Sequence, residues 1–113
     1  KLALVSSAPK ENIDLLTSEL NLEGIFHCVV SGREVAESKP SPQIYLLAAE
    51  KLGVQPENCI VIEDSPLGVK AAKAAGMRCL AVTNTHPKQD LEDADRVVDS
   101  LEDVDLITLI QRV

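Results

Sequence analysis

The sequence predicts an α/β domain of the Rossmann-like kind, a parallel sheet with helices on both faces. Short apolar runs alternate with longer stretches at helical spacing, the pattern of parallel strands joined by helical crossovers. The 113 residues are 45% hydrophobic yet hold one Phe, one Tyr and no Trp, so the core must be built from Ala, Val, Leu and Ile. One run, Cys59 to Ile62 (CIVI), is continuously apolar, which predicts a strand covered on both faces near the middle of the sheet. This length suits one compact domain, and no repeat, low-complexity stretch or linker divides it.

Leu2 to Ser6 (LALVS) is expected as the first strand. Pro9 then opens a helix with Ile13, Leu16 and Leu20 on one stripe. His27 to Val30 is a short second strand, and the polar stretch Ser31 to Ser38 leads to a helix capped by Ser41 with Pro42 in its first turn. That helix carries Ile44, Leu47, Ala48 and Leu52 and ends at Gly53. After CIVI comes Glu63-Asp64-Ser65, then an Ala-rich helix with Val69, Ala72 and Ala75, closed by Gly76. Cys79 to Val82 and Arg96 to Asp99 give the last two strands, and Leu101 to Arg112 a closing helix with Val104, Ile107 and Ile110 at helical spacing.

The formal net charge of −7 argues against a non-specific grip on nucleic acid or an anionic membrane, because such a surface repels polyanions. No apolar run approaches the length of a membrane span, and no leader pattern is present. Cys28, Cys59 and Cys79 are odd in number and set in apolar runs, so they read as small buried residues in a reducing soluble compartment, the cytoplasm or another. The chain starts at Lys1 inside an apolar strand, which suggests that the protein begins upstream.

In an open parallel sheet, ligands bind beyond the carboxyl ends of the strands, where loops and helix N-termini converge. Three features fall there. Ser6-Ser7 follows the first strand, where a hydroxyl and backbone N–H groups can hold an anionic oxygen or simply cap a helix. Lys39, between Ser38 and Pro40 with Pro42 close behind, sits on a stiffened loop, either as a fixed charge or as a solvated lysine. Glu63-Asp64 at the mouth of an apolar strand can hold a hard cation such as Mg²⁺, or favour the dipole of the following helix. Together, a hydroxyl, a Lys and an acidic pair in that order form an anion cradle beside a metal site, which is what phosphoryl transfer requires.

LALVSSA at Leu2 to Ala8, SKPSPQIYLLAAEKLGV at Ser38 to Val54 and CIVIEDSPLGVKAAKAAGM at Cys59 to Met77 resemble haloacid dehalogenase (HAD) superfamily phosphohydrolases of the β-phosphoglucomutase-like group. The resemblance implies a HAD-like core fold and a phosphatase or phosphomutase acting on a small phosphorylated metabolite, a sugar phosphate foremost, through an aspartyl-phosphate. Ser6 would hydrogen-bond the transferring phosphoryl group, with Ser7 beside it, and Lys39 would balance phosphoryl and nucleophile charge. Asp64 would ligate Mg²⁺, with Glu63 next to it. Lys10 lies near a place where related enzymes contact a substrate phosphate, although its own setting reads as solvated.

The family's Asp-x-Asp nucleophile strand and its helical cap have no match. Asp93-Ala94-Asp95 has the spacing but precedes a strand instead of ending one. Residues 1–113 are therefore expected to be the C-terminal part of one core domain, inactive alone, lacking a central strand between Leu2–Ser6 and Cys59–Ile62 that an N-terminal segment or another chain would supply. Two rivals remain at this stage. A phosphoacceptor receiver domain carries similar residues in a different order, and a non-catalytic interaction or structural domain would keep the architecture without the chemistry.

Overall fold

The computed structural model describes residues 1–105. Among them are five strands, β1 (Ala3–Ser6), β2 (Cys28–Ser31), β3 (Ile60–Glu63), β4 (Arg78–Val82) and β5 (Arg96–Val98), and three α-helices, α1 (Lys10–Glu19), α2 (Gln43–Leu52) and α3 (Pro66–Ala74). Every strand pairing is parallel, as the alternation predicts: Ala3 sits opposite Cys28, Ile60 opposite Arg78 and Leu80 opposite Arg96. The strands form two sheets, β1-β2 and β3-β4-β5, and β1 and β3 do not pair with each other.

One core nevertheless spans both sheets. Val30 of β2, Ile44 and Ala48 of α2, Ala72 of α3 and Cys79 and Ala81 of β4 belong to a single buried cluster. Small residues make this possible, since Ala48, Ala49, Ala71, Ala72 and Ala75 let helix axes approach the strands without leaving voids. On β4 the side chains alternate between that core and a second cluster of Leu80, Val82 and Val98, against which Val104 packs.

The strand covered on both faces is therefore β4. On β3, Val61 is buried but Ile62 is 47% exposed, and β3 has a hydrogen-bonded neighbour on one side only. The apolar run thus marks a strand whose second face and second edge lie uncovered in this chain. On α1 the expected stripe narrows to Ile13, with Leu16 and Leu20 exposed, because the two-stranded sheet beneath is too narrow to cover a wider face. Helix α2 begins at Gln43, with Pro42 at the cap position and the Ser41 hydroxyl accepting from the Gln43 N–H at 3.3 Å. Gly53 and Gly76 follow α2 and α3 with left-handed φ of +69° and +80°.

The three cysteines are unpaired, with Cys79 buried and Cys28 and Cys59 half-buried. Burial pushes the Cys79 thiol up to about 12, away from the thiolate form that reacts. Asp95, of the misplaced Asp-x-Asp, serves as a clamp, accepting from the Cys79 backbone N–H and from Lys73 at 2.7 Å each. Of the expected closing helix, Leu101–Asp103 is a short 3-10 turn, and residues 106–113 lie outside the described residues.

Leu80 is 1% exposed on the doubly covered strand. Leu80→Ala should cost about 2–5 kcal/mol in a urea unfolding titration, by lost burial plus a cavity. A loss under about 1 kcal/mol would show that the second face of β4 is not a packed core.

Candidate active site

The C-terminal ends of β1 and β3 open onto the same space. Ser6 ends β1, Glu63 ends β3, and the loop before α2 brings in Lys39; with Ser7, Asp64 and Ser65 they line a cavity of about 530 Å³. Ser6, Ser7, Lys39, Glu63 and Asp64, drawn from three separate sequence segments, are thus gathered at one place. Lys10, the first residue of α1, is exposed and does not line the cavity.

Glu63 is the most constrained of these side chains. Its Oε2 accepts from the Lys39 ammonium at 2.9 Å and from the Tyr45 hydroxyl at 2.5 Å. Its Oε1 accepts from the Asp64 backbone N–H at 3.0 Å and from the Ser65 hydroxyl at 3.4 Å. The pair is largely withdrawn from water, with the Lys39 and Glu63 side chains 15% and 10% exposed. Burial alone would push the Glu63 carboxyl up, but the hydrogen bonds from Tyr45 and Lys39 outweigh it and hold the group below the ordinary glutamate value. Gly68, in the first turn of α3, makes room for this arrangement, since a Cβ there would lie 2.0 Å from the Glu63 carboxylate. Helix α3 is capped independently, by the Ser65 hydroxyl accepting from the Gly68 N–H at 3.1 Å.

Asp64 is freer. Its carboxylate accepts from the Thr85 hydroxyl at 3.3 Å, and its backbone carbonyl lies 3.2 Å from both Thr85 Oγ1 and His86 Nδ1. The Ser6 hydroxyl accepts from the Ala8 N–H at 3.1 Å, a local turn that leaves its own proton without an acceptor among the described residues. Sequence reasoning missed Tyr45, Thr85 and His86. Tyr45 could have been found from its chemistry, because a tyrosine on the core face of a helix needs a partner for its hydroxyl. Thr85 and His86 could have been found from topology, since they follow β4 at the sheet end where ligands bind.

The haloacid dehalogenase-like hydrolase family profile matches residues 1–82. A haloacid dehalogenase-like hydrolase domain-containing protein of Arabidopsis thaliana is 40% identical over 121 residues, covering 100% of this chain and 38% of its own length. The validoxylamine A 7'-phosphate phosphatase of Streptomyces hygroscopicus is 33% identical over 91% of this chain and 48% of its own. CbbY of Rhodobacter sphaeroides, solved in complex with phosphate, superposes with a TM-score of 0.82 at 36% identity over 88% of this chain and 46% of that one.

The chain belongs to the haloacid dehalogenase-like hydrolases.

Within that superfamily it falls in the β-phosphoglucomutase-like group: β-phosphoglucomutase of Clostridium difficile superposes with a TM-score of 0.81 at 30% identity, covering 89% of this chain and 44% of that one. The receiver-domain reading is thereby set aside. The chain spans less than half the length of each of these relatives, and its two separate sheets are the incomplete form of the parallel HAD core.

The depressed Glu63 carboxyl fixes the sign of one pH effect. A carboxylate held below its ordinary value contributes stability above that value, 4.5, and loses it as pH falls through and below it. Unfolding titrations from about pH 6 down to about pH 3 should show a steeper loss for the wild type than for Glu63→Gln. Equal slopes would mean that the ion pair contributes nothing to the folded state.

Proposed function

We propose that the whole protein is a Mg²⁺-dependent phosphohydrolase, a phosphatase or phosphomutase, acting on a small phosphorylated metabolite with sugar phosphates as the leading class. The observation that carries this reading is the meeting of Ser6, Lys39 and Asp64 on one cavity at the carboxyl ends of β1 and β3. The names of similar proteins support it: one dephosphorylates validoxylamine A 7'-phosphate, and a CbbY variant was crystallised with xylulose-(1,5)bisphosphate.

The donors present fit a hard cation in part. Mg²⁺ takes one or two carboxylates and completes its shell with water and phosphate oxygens. Asp64 offers such a carboxylate at the cavity, engaged by a single hydroxyl, while Glu63 has four protein donors. No group of three His, Cys, Asp or Glu that could hold a metal occurs among the described residues, so further ligands would come from outside them. When bound, the cation would neutralise phosphate charge. The Ser6 hydroxyl, with Ser7 adjacent, donates to a phosphoryl oxygen, and Lys39 balances the charge that develops as the group is transferred.

The covalent step needs a free carboxylate nucleophile; β1 carries no carboxylate, and the one on β3, Glu63, is engaged by four protein donors. In this reading a strand from elsewhere in the protein, or from another chain, lies between β1 and β3, completes the sheet and delivers an Asp whose carboxylate attacks phosphorus, breaking the P–O bond to the substrate's alcohol, which leaves with a proton. In a phosphatase, water then cleaves the aspartyl-phosphate to free Asp and inorganic phosphate. Free thiols fit a reducing compartment, and no helix among the described residues is long and apolar enough to cross a membrane. The net charge of −7 fits a small-molecule substrate and not nucleic acid.

In the full-length protein, Lys39→Ala and Asp64→Ala should each lower turnover of a sugar phosphate by about two to three orders of magnitude, with circular dichroism unchanged. Wild-type rates in either variant would remove the role assigned to that residue. The 113-residue chain alone should release no phosphate from p-nitrophenyl phosphate, with or without Mg²⁺. Measurable turnover by it would overturn the need for an outside nucleophile.

A further inference from the structure

We infer that Tyr45 is a positioning residue of this site: its hydroxyl fixes the Glu63 carboxylate and, through it, the direction in which Lys39 enters the cavity. This rests on the phosphohydrolase reading for its consequence, but the contacts stand without it. Tyr45 is 5% exposed on α2, and its hydroxyl donates to Glu63 Oε2, the same oxygen that takes the Lys39 ammonium. The Lys39 Nζ also lies 5.2 Å from the centre of the Tyr45 ring, within cation–π range. One side chain therefore grips both members of the ion pair, the anion by its hydroxyl and the cation by its ring.

The hydroxyl has no other partner among the described residues. A phenylalanine would fill the same space without burying a polar group, so packing gives no reason for the oxygen. Glu63 gives one. Its Oε1 is tied to the start of α3 through Asp64 and Ser65, but Oε2 would otherwise have only Lys39, a long flexible chain with three rotatable donors. With Tyr45 present, Oε2 is held from the rigid face of α2, and Lys39, which lines the cavity, uses one donor on a fixed acceptor. Positioning of this kind acts on the step in which charge develops, so its loss lowers kcat without weakening substrate binding.

The test uses the full-length protein with Tyr45→Phe, Glu63→Gln, Lys39→Ala and the double variant Tyr45→Phe/Lys39→Ala. The wild-type minus Tyr45→Phe absorption difference isolates one phenol, whose long-wavelength band should move to the blue when Glu63→Gln replaces the carboxylate acceptor by a neutral amide. On a sugar phosphate, Tyr45→Phe should lower kcat about tenfold with KM within about twofold. In the Lys39→Ala background the same change should have no further effect, because Tyr45 acts through Lys39. An unmoved phenol band, an unchanged kcat, or an equal loss in both backgrounds would each overturn the inference, the last making Tyr45 a core-filling residue only. Wild-type protein inert on every phosphoester would instead overturn the phosphohydrolase reading. The phenol band is read without substrate, so in that case an unmoved band still overturns the positioning role.

Discussion

The carboxylate of Glu63 is the point through which the separate parts of this chain are joined. Its four donors come from the loop before α2, from α2 itself and from the turn opening α3. A buried ion pair adds little net stability, because desolvation offsets most of the attraction, but removing one partner is costly since it strands the other. Such a pair fixes geometry more than it adds free energy. The donors are also placed so that neither the loop before α2, nor α2, nor the start of α3 can move without breaking a bond to Glu63, and Gly68 keeps the space clear for this convergence.

The core shows the complementary constraint. Two sheets that share no hydrogen bonds are joined by α2 and α3, half of whose buried residues are alanine, so close approach replaces backbone pairing across the division. The cost falls at the boundary. Ile62 and Leu67, large apolar residues on β3 and in the first turn of α3, remain 47% and 51% exposed. A strand edge and exposed apolar side chains beside a polar cavity are what a sheet presents when another strand is needed to cover them.

Much of this was legible in the sequence because it depends on local pattern. Strand and helix identity followed from period and punctuation, Ser6, Glu63 and Asp64 from their positions at strand ends, and Lys39 from its proline-stiffened loop. What escaped depends on distant neighbours. CIVI has the composition of a doubly covered strand, yet coverage is decided by the elements on either side, and in this chain β4 receives them. Leu16 and Leu20 have helical spacing, but the width of the sheet below decides how much of the helix is buried. Tyr45 drew no reading because its partner lies 18 positions away in sequence.

The charges gathered at the cavity also refine what the acidic composition means. Lys39 is matched by Glu63 and Asp64 is left over, so the three formal charges leave one net negative, the same sign as the whole chain. A phosphate dianion gains no long-range attraction from such a site, whatever hydrogen bonds await it there. A divalent cation beside Asp64 reverses the local sign, so on the proposed reading anion affinity is conditional on metal occupancy and is not built into the protein. The Lys39–Glu63 pair serves that arrangement. On the same reading, a lysine paired with Glu63 does not retain stray anions, and the N–H donors it has left serve a phosphoryl oxygen.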